Sequence, residues 1–432
     1  MRNLAGKLGI CFSGREHHAG KLAPLMDYLQ QEGGLRVRYV TSAFNSYNVD
    51  SFERPLRDRA VSYDLIQDWM NEELVQEMRQ LNQAVQHEIT SRMFLEQHNI
   101  LDYISTLWTR DAFRDTIECY VLFREYLKEV KPNIVFVLHE SNFWTKILAF
   151  WAKEFGIPVV SFQEGMYRPY PDSQYFLTLY GKILAEYSSK VCLWGDYAKD
   201  IFTNCGVPGQ KLVTVGAAHL DELLSVPVEE RQDIRLKIRN EFQVSQEQKI
   251  ILMLLSPSKI WQGDLVQDIR LIGEYVHQQP DMVLVVKWHP MEHSGLVEQV
   301  KQTLDAKSHP RIIHEHDRNI IDLIWASDLA LTQNSTTGLE CLVFGVPLVE
   351  LNLSNQPFPN SYYKDGVAER IHRAEDIPRL SMFLKGQRFE MAPGAVERYL
   401  ERLLFRLDGR TQERILGVVT ELLFPPAIAG GN

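Results

Sequence analysis

The sequence has no apolar run long enough to cross a membrane. Its longest apolar runs, 250–255 and 282–286, have the length of β-strands, whereas a membrane-spanning helix needs about 20 such residues. The segment 1–6 leads directly into a strand-like run at 8–13, which is not the pattern of a signal peptide. We therefore expect a protein that acts in the cytoplasm.

Cysteine is scarce, and the cysteines that are present form no CxxC pair. An odd number at irregular spacing is typical of reduced core thiols in a cytosolic protein. The sequence therefore predicts neither disulfide bonds nor a zinc site. The five residues are Cys11, Cys119, Cys192, Cys205 and Cys341.

The chain has no excess of positive charge, because 46 Lys and Arg residues stand against 56 Asp and Glu residues, a formal net charge of −10. A nucleic-acid-binding surface needs clustered Lys and Arg, so we expect no nucleic-acid partner. The negative charge keeps the surface as a whole well solvated. The negative net charge does not exclude a local basic pocket that binds one anionic ligand.

The length of 432 residues exceeds what one hydrophobic core usually covers, so two domains are expected. Short apolar runs alternate with helical stretches in both halves of the chain. Continuous apolar strands that alternate with helices predict parallel sheets covered on both faces. The strands predicted in the first half are 8–13, 36–41, 134–139, 159–163, 191–194 and 212–215.

These patterns predict an α/β fold with two Rossmann-like, doubly wound domains that face a central cleft. The first domain spans 1–225 and contains a helical insertion at about 55–130, most of which is rich in charge and has helical spacing. The polar stretch 226–248 is predicted to be a linker, because its apolar residues are too sparse for a core. The second domain spans 249–390, and helices at 391–432 end the chain.

A loop rich in hydroxyl side chains follows an apolar strand and opens a helix in the second half. Ser335, Thr336 and Thr337 lie where backbone N–H groups at a helix N-terminus favour an anion. Gly338 would let a ligand approach the backbone, and Glu340 could accept hydrogen bonds from ribose hydroxyls. The alternative is an ordinary helix cap made by Ser335. Capping needs one hydroxyl rather than three, so the pattern favours a phosphate site.

Two cationic side chains end a neighbouring predicted strand in the sequence Lys287-Trp288-His289-Pro290. Proline stops the strand and fixes the turn, so His289 emerges at the carboxyl edge of the sheet. Lys287 and His289 could bind a phosphate there and neutralise the charge that develops when it leaves. The alternative is a structural histidine at the end of a strand.

In the first half, Gln163 and Glu164 precede a glycine at the end of a strand. A carboxylate at this position could act as a general acid or base, or it could bind a sugar. His139 and Glu140 end the preceding strand and add polar groups at the same edge. A carboxylate in a polar turn explains Glu164 equally well.

Other candidates carry weaker signals. The loop 13–20 after the first strand holds His17, a candidate for ligand binding, although the loop lacks GxGxxG spacing. The run from His314 to His316 contains possible metal ligands, but it alternates faces along a strand, so no metal is predicted there. The aromatic residues of 143–151 have helical spacing and are predicted to lie in the core.

The second half resembles surface-carbohydrate glycosyltransferases of the capsule and lipopolysaccharide type, which have the GT-B architecture. The resemblance lies in VVKWHP at 285–290 and NSTTGLECLVFGVPLV at 334–349, with IIDLIWASDLAL at 320–331 before it. The segment 191–221 is similar to the part of those enzymes that enters the domain linker. Together these segments cover about half of the chain.

The resemblance implies that the HP histidine and the Ser/Thr loop hold the nucleotide phosphate, with the sugar donor on the C-terminal domain. Gln163 and Glu164 look like the QE pair of retaining β-Kdo transferases, which use CMP-Kdo. Bacterial sialyltransferases and CDP-glycerol polymerases also carry an HP element. No aspartate aligns with the nucleophile of the Kdo enzymes, since Asp221 and Asp264 are near the interdomain region but neither lies in a motif of those enzymes.

The expected function is the transfer of a sugar, Kdo or a related acid sugar, from a CMP-linked donor to a surface polysaccharide or glycolipid. The reaction would take place at the cytosolic face of the membrane, with peripheral membrane association. We expect no cofactor and no metal, because the sequence has no DxD element. The alternatives are a CDP-glycerol or CDP-ribitol type phosphotransferase and a non-catalytic nucleotide-sugar-binding protein. The predicted catalytic residues are Glu164 and His289, and the predicted substrate-binding residues are Gln163, Lys287, Ser335, Thr336, Thr337, Gly338, Glu340 and His17.

Overall fold

The computed structural model divides the chain into two compact units, Met1–Leu224 with Leu404–Asn432 (unit 1) and Ser225–Leu403 (unit 2). The residues that the structure describes are 3–12, 16–41, 62–94, 112–140, 142–166, 185–258, 261, 263–289, 292, 294–303, 310–356, 361–387 and 391–425.

Unit 1 contains a seven-stranded sheet in the order β3-β2-β1-β4-β5-β6-β7, and every neighbouring pair is parallel. The central strands are short apolar runs that are buried along their whole length, as parallel strands covered on both faces should be. The strands are β1 (Leu8–Phe12), β2 (Arg36–Thr41), β3 (Tyr63–Leu65), β4 (Ile134–Val137), β5 (Val159–Phe162), β6 (Lys190–Leu193) and β7 (Leu212–Thr214).

Helices cover both faces of this sheet, and a separate apolar core lies on each face. Within the predicted insertion 55–130, the described residues include β3 and two long helices. The helices are α1 (Glu16–Gln31), α2 (Glu72–Phe94), α3 (Ala112–Val130), α4 (Phe143–Glu154), α5 (Asp196–Asn204) and α6 (Ala218–Ser225), with short 3-10 turns at Ile66–Trp69 and Gly209–Lys211.

Unit 2 contains a six-stranded parallel sheet in the order β10-β9-β8-β11-β12-β13. Counted from its first strand, this is the order 3-2-1-4-5-6 of the dinucleotide-binding fold. The sequence prediction of two doubly wound parallel sheets is confirmed. The strands are β8 (Lys249–Leu254), β9 (Met282–Lys287), β10 (Ile312–Glu315), β11 (Leu329–Thr332), β12 (Leu348–Leu351) and β13 (Glu369–Ile371).

Seven helices accompany the second sheet in the described part of the chain. They are α7 (Val228–Glu241), α8 (Leu265–Gln278), α9 (Ser294–Thr303), α10 (Ile320–Ala326), α11 (Thr337–Val343), α12 (Arg379–Leu384) and α13 (Ala395–Leu404), with a 3-10 turn at Ala374–Asp376. No helix among the described residues is both long and apolar enough to cross a membrane.

The stretch 226–248, which the sequence predicts as a linker, forms helix α7 of unit 2. Its polar residues have specific partners: the Arg235 guanidinium donates to the carboxylate of Asp328 at 2.8 Å, and the Arg239 guanidinium donates to the Gln248 carbonyl at 2.6 Å. Helix α7 therefore packs through ion pairs and hydrogen bonds, which a search for apolar spacing does not detect.

The last helix of the described residues, α14 (Thr411–Leu423), belongs to unit 1 although it follows unit 2 in sequence. Its apolar face, which includes Ile415 and Val419, is buried in the same core as α1. The Arg414 guanidinium donates to the Val215 carbonyl at 2.6 Å, and the backbone N–H of Gln412 donates to Asp221 at 3.0 Å. Helix α14 thus completes one of the two apolar cores of unit 1.

Candidate functional site

Each sheet has a point where the strand order reverses, and ligands of such folds bind outside the carboxyl ends of the strands at that point. In unit 2 the reversal lies between β8 and β11. The predicted Ser/Thr loop follows β11, and the predicted HP element follows β9, the neighbour of β8 on the other side. The structure therefore brings both elements to the same edge of one sheet.

The Ser/Thr loop is held by hydrogen bonds of its own. The N–H of Ser335 donates to Thr332 Oγ1 at 3.2 Å, and the N–H of Thr337 donates to Ser335 Oγ at 3.3 Å. The N–H of Gly338 donates to the Ser335 carbonyl at 3.0 Å. These N–H groups, expected from the sequence to face an anion, are therefore engaged within the loop. The exposed hydroxyl of Thr336 and the half-buried hydroxyls beside it are the groups that a ligand would meet.

Gly338 is buried against a tyrosine ring. A Cβ atom at this position would lie 2.9 Å from two ring carbons of Tyr362 and 3.0 Å from its hydroxyl oxygen. That hydroxyl donates to the Ser335 carbonyl at 2.8 Å. The absence of a side chain at Gly338 thus lets Tyr362 reach and fix the loop, a reason that differs from close approach of a ligand. Glu340 lies half-buried in the first turn of α11.

A third loop, which the sequence analysis did not single out, joins the two predicted elements. It follows β8, and the Ser256 hydroxyl lies 3.1 Å from Asn334 Oδ1 in the Ser/Thr loop. On its other side, Glu292 accepts from the N–H of Ser258 at 2.7 Å and from the hydroxyl of Ser258 at 2.9 Å. Glu292 itself follows His289, whose carbonyl accepts the N–H of Glu292 at 2.9 Å. The loops after β8, β9 and β11 thus form one hydrogen-bonded edge.

Lys287 is buried, and its ammonium donates to the backbone carbonyl of His316, beyond the end of β10. Burial lowers the pKa of Lys287, while the nearby carboxylates of Asp317 and Glu315 act in the opposite direction. The cation therefore faces the β10 side of β9, away from β11. A role at the phosphate together with Ser335 stays a prediction.

His289 is half-buried at the end of β9, and Trp288 beside it is fully buried. The Trp288 indole N–H donates to His314 Nδ1 at 3.2 Å, and the two rings stack with centroids 6.0 Å apart. Burial lowers the pKa of His314 to about 4, so its imidazole is neutral at pH 7. His314 thus fixes the HP segment through its hydrogen bond and ring contact with Trp288.

In unit 1, Glu164 and His139 meet at the ends of the adjacent strands β5 and β4. Glu164 Oε2 lies 2.5 Å from His139 Nε2, and the side chain of Glu164 is 28% exposed while that of His139 is 7% exposed. The backbone carbonyl of Glu164 accepts the ammonium of Lys21, on α1, at 2.6 Å. This arrangement presents a carboxylate, backed by an imidazole, at the carboxyl edge of the first sheet.

Gln163 is buried and fixes the backbone around Glu164. Its side-chain carbonyl accepts the N–H of Trp194 at 2.8 Å, and its amide donates to the Gly165 carbonyl at 2.8 Å. The two residues of the QE pair therefore differ: Gln163 bonds to the protein backbone, and Glu164 reaches the surface. Direct substrate binding by Gln163 stays a prediction.

Glu140 is also buried, with its carboxylate bonded to the loop that precedes β6. It accepts the N–H of Tyr187 at 3.0 Å, the N–H of Ser188 at 2.5 Å and the Ser188 hydroxyl. These bonds satisfy the hydrogen-bonding capacity of the buried carboxylate, so Glu140 connects the end of β4 to the loop before β6.

A small cavity of about 20 Å³ lies beside this edge, and its mostly apolar lining also includes Lys21, Gln163 and His219. A volume of this size holds about one water molecule and no sugar. Burial, with a smaller contribution from Lys21, lowers the pKa of His219 to about 3, and its ring lies against Trp194 at 5.1 Å. His219 is therefore a neutral packing residue at pH 7.

The other residues predicted from the sequence lie on α1 and α4. His17 lies in the first turn of α1, and its side chain is outside the described residues, as is the loop 13–15. In the aromatic segment 143–151, Trp144 is buried, whereas Trp151 is half-buried. Among the described residues, no three His, Cys, Asp or Glu side chains are grouped closely enough to hold a metal ion.

Residues 266–354 match the family model of capsule polysaccharide biosynthesis proteins. The match covers less than half of the chain, and it contains both the HP element and the Ser/Thr loop. No curated protein sequence matches the chain significantly.

Solved structures match nearly the whole chain. A UDP-GlcNAc 2-epimerase from Neisseria meningitidis, bound to UDP-GlcNAc, superposes with a TM-score of 0.64 at 15% identity, covering 96% of this chain and 100% of that one. The UDP-GlcNAc 2-epimerase from Methanocaldococcus jannaschii gives a TM-score of 0.61 at 14% identity, covering 96% and 99%. A glycosyltransferase from Rickettsia africae gives 0.56 at 12% identity, covering 97% and 99%.

At these identities the superpositions establish the fold and not the activity. The chain has the GT-B-like fold of these enzymes, and the segment 266–354 of unit 2 is similar to capsule polysaccharide biosynthesis proteins.

Proposed function

We propose that the chain is a nucleotide-sugar-dependent glycosyltransferase of capsule polysaccharide biosynthesis. The observation that carries the proposal is the hydrogen-bonded edge formed by the loops after β8, β9 and β11. This edge lies at the reversal point of the second sheet, where folds of this kind bind nucleotides. The capsule family match spans the HP and Ser/Thr elements of the same edge.

In this proposal the donor phosphate binds beside His289 and the hydroxyls of Ser335 to Thr337. The acceptor hydroxyl oxygen forms a bond to the anomeric carbon of the sugar, and the bond from that carbon to the phosphate oxygen breaks. Glu164 takes the proton of the acceptor hydroxyl as general base. His289 stabilises the negative charge of the departing phosphate.

The donor class is proposed separately from the donor site. The resemblance to QE- and HP-containing transferases supports a CMP-linked acid sugar, whereas structural relatives are solved with UDP-GlcNAc and UDP. Both donors are pyrimidine nucleotides linked to a sugar through phosphate. The proposal is therefore a pyrimidine nucleotide sugar, with CMP as the expected nucleotide.

A thermal-shift panel of CMP, CDP, UDP, GDP and NAD tests the proposal. A nucleotide at ~100 times its dissociation constant adds about 2.7 kcal/mol to the free energy of unfolding. We expect CMP to stabilise most, and Thr336→Val to weaken that effect while Thr203→Val, on α5 of unit 1, does not. Stabilisation by UDP alone would show that the donor is linked to UDP and not to CMP. Stabilisation by NAD alone, or by no nucleotide of the panel, would refute the nucleotide-sugar site.

A second candidate is epimerisation of a UDP-sugar. It is favoured by the full-length similarity to UDP-GlcNAc 2-epimerases and by the Glu164–His139 pair, which could move a proton. Incubation with UDP-GlcNAc in D2O separates the two candidates, because epimerisation at C2 breaks the C2–H bond and exchanges that proton. We expect no exchange. A Glu164→Gln variant that binds nucleotide but has lost transfer would also exclude a non-catalytic binding protein.

A further inference from the structure

The contact between His139 and Glu164 has a defined protonation requirement. The two heavy atoms, Nε2 and Oε2, are 2.5 Å apart. An unprotonated imidazole nitrogen and a carboxylate oxygen would repel each other at this distance, so one proton must lie between them. Charge-assisted hydrogen bonds are shorter and stronger than neutral ones. The pair is therefore a single hydrogen-bonded unit.

The strand register explains why these residues meet. β4 and β5 are parallel neighbours, with Val137 opposite Ser161, so both chains leave the sheet at the same level. His139 is enclosed, while the carboxylate of Glu164 keeps contact with the surface. The imidazole thus supports the carboxylate from the protein side, and the carboxylate is the part that a substrate can reach.

The surroundings fix the carboxylate in place through its backbone. Lys21 bonds to the carbonyl of Glu164, and Gln163 bonds to the backbone at Gly165 and Trp194. Glu140, next to His139, is fixed by the Tyr187–Ser188 backbone. The backbone at the end of β5 and the backbone at the end of β4 are therefore both fixed by hydrogen bonds. These bonds keep the distance between His139 and Glu164 constant.

We propose that His139 is the positioning residue of the acid–base site. Its Nε2–H donates to Glu164 Oε2 and holds the carboxylate in one orientation. The carboxylate then accepts the proton of the acceptor hydroxyl, the imidazole retains its own proton, and the carboxylic acid loses the gained proton to solvent after product release. This inference rests on the proposed role of Glu164 in the glycosyltransferase reaction.

The first test needs no substrate. A proton in a short bond between nitrogen and a carboxylate resonates far downfield of the backbone amides in a proton NMR spectrum. We expect this signal in the full-length protein and in His372→Gln, which breaks an unrelated histidine–carboxylate pair with Asp376 in unit 2. The signal should disappear in His139→Gln and in Glu164→Gln. Its absence from the wild-type protein would overturn the inference.

The second test uses turnover, measured as release of the nucleotide from the sugar nucleotide that the panel above selects. Loss of a general base costs roughly 10² to 10⁴ in kcat, so Glu164→Gln should fall in this range. We expect His139→Leu to lower kcat about 10- to 100-fold with little change in KM, because orientation and not binding is lost. His139→Gln, which keeps an N–H donor near Nε2, should recover most of this loss.

The outcomes separate the inference from the proposed function. If Glu164→Gln loses turnover and His139→Leu does not, His139 has no positioning role and the proposed function stands. If Glu164→Gln turns over like the wild type, the proposed role of Glu164 fails and the inference fails with it. A His139→Gln variant as impaired as His139→Leu would show that an N–H donor at this position is not what the site requires.

Discussion

Replacement of Gly338 by alanine separates two explanations for a glycine in the Ser/Thr loop. If the glycine only allowed a ligand to approach, alanine would raise the free energy of unfolding of the ligand-free protein by about 1 kcal/mol, the difference in helix propensity. The structure predicts the opposite sign. The added Cβ would lie 2.9 Å from ring carbons of Tyr362, and such overpacking typically costs about 1 to 3 kcal/mol.

A displaced Tyr362 ring would also lose its hydrogen bond to the Ser335 carbonyl, worth roughly 0.5 to 1.5 kcal/mol. When the gain in helix propensity is subtracted, we expect Gly338→Ala to lower the free energy of unfolding by about 0.5 to 3.5 kcal/mol. For a unit of this size each kcal/mol lowers Tm by about 2 to 4 °C. Urea unfolding and calorimetry without ligand measure both quantities.

Gly295 provides the matched control, because it lies in the first turn of α9 and a Cβ there would meet no atom of the described residues within 4 Å. Gly295→Ala should be neutral or slightly stabilising. Tyr362→Phe should lose only the hydrogen bond and should cost less than Gly338→Ala. A Gly338→Ala protein that is more stable than the wild type without ligand, and weaker only in nucleotide binding, would refute the packing explanation.

The remaining predictions concern the HP element, a buried carboxyl group and metal dependence. His289→Ala should lower turnover ~10²-fold or more at an unchanged circular dichroism spectrum and Tm, because one electrostatic stabiliser is lost; unfolding of the variant would instead show a structural role. Burial raises the pKa of Asp268 to about 6 from 3.8, so its contribution to stability is present below pH 3.8 and is lost as the pH rises through 6. Between pH 4 and 7, urea unfolding should show the wild type losing about 2 kcal/mol relative to Asp268→Asn, whose side-chain carbonyl can still accept the Trp261 indole N–H; parallel pH profiles would contradict this. Transfer activity should survive dialysis against EDTA, and activity that is lost and returns only with Mn²⁺ or Mg²⁺ would contradict this prediction and weaken the proposed role of His289.

The sequence predicted the sheets, and the edge at which the candidate site residues lie, for a simple physical reason. Parallel strands buried on both faces are continuous apolar runs, and the residue that ends such a run must leave the sheet at its carboxyl edge. His289, Ser335 and Glu164 could therefore be assigned to an edge without knowledge of the strand order.

Side-chain partners could not be predicted in the same way, since they depend on which strands become neighbours. Lys287 bonds to the His316 carbonyl because β10 lies beside β9, and Glu164 meets His139 because β4 lies beside β5. The connections made by Ser256 and Glu292 join loops that are distant in sequence. A single sequence carries no periodic signal for such contacts, because each involves one polar residue on each loop.

The return of α14 to unit 1 has a consequence for the order in which the protein can fold during synthesis. Domains usually fold as the ribosome releases them, beginning with the N-terminal one. Here Ser225–Leu403 is continuous in sequence and is complete before Thr411–Leu423 has been made. The synthesis of unit 1 therefore starts before that of unit 2 and ends after it. Until Ile415 and Val419 have been synthesised, the apolar residues of α1 that share a core with them remain exposed to water. On the ribosome, unit 2 can therefore fold completely before unit 1 has helix α14.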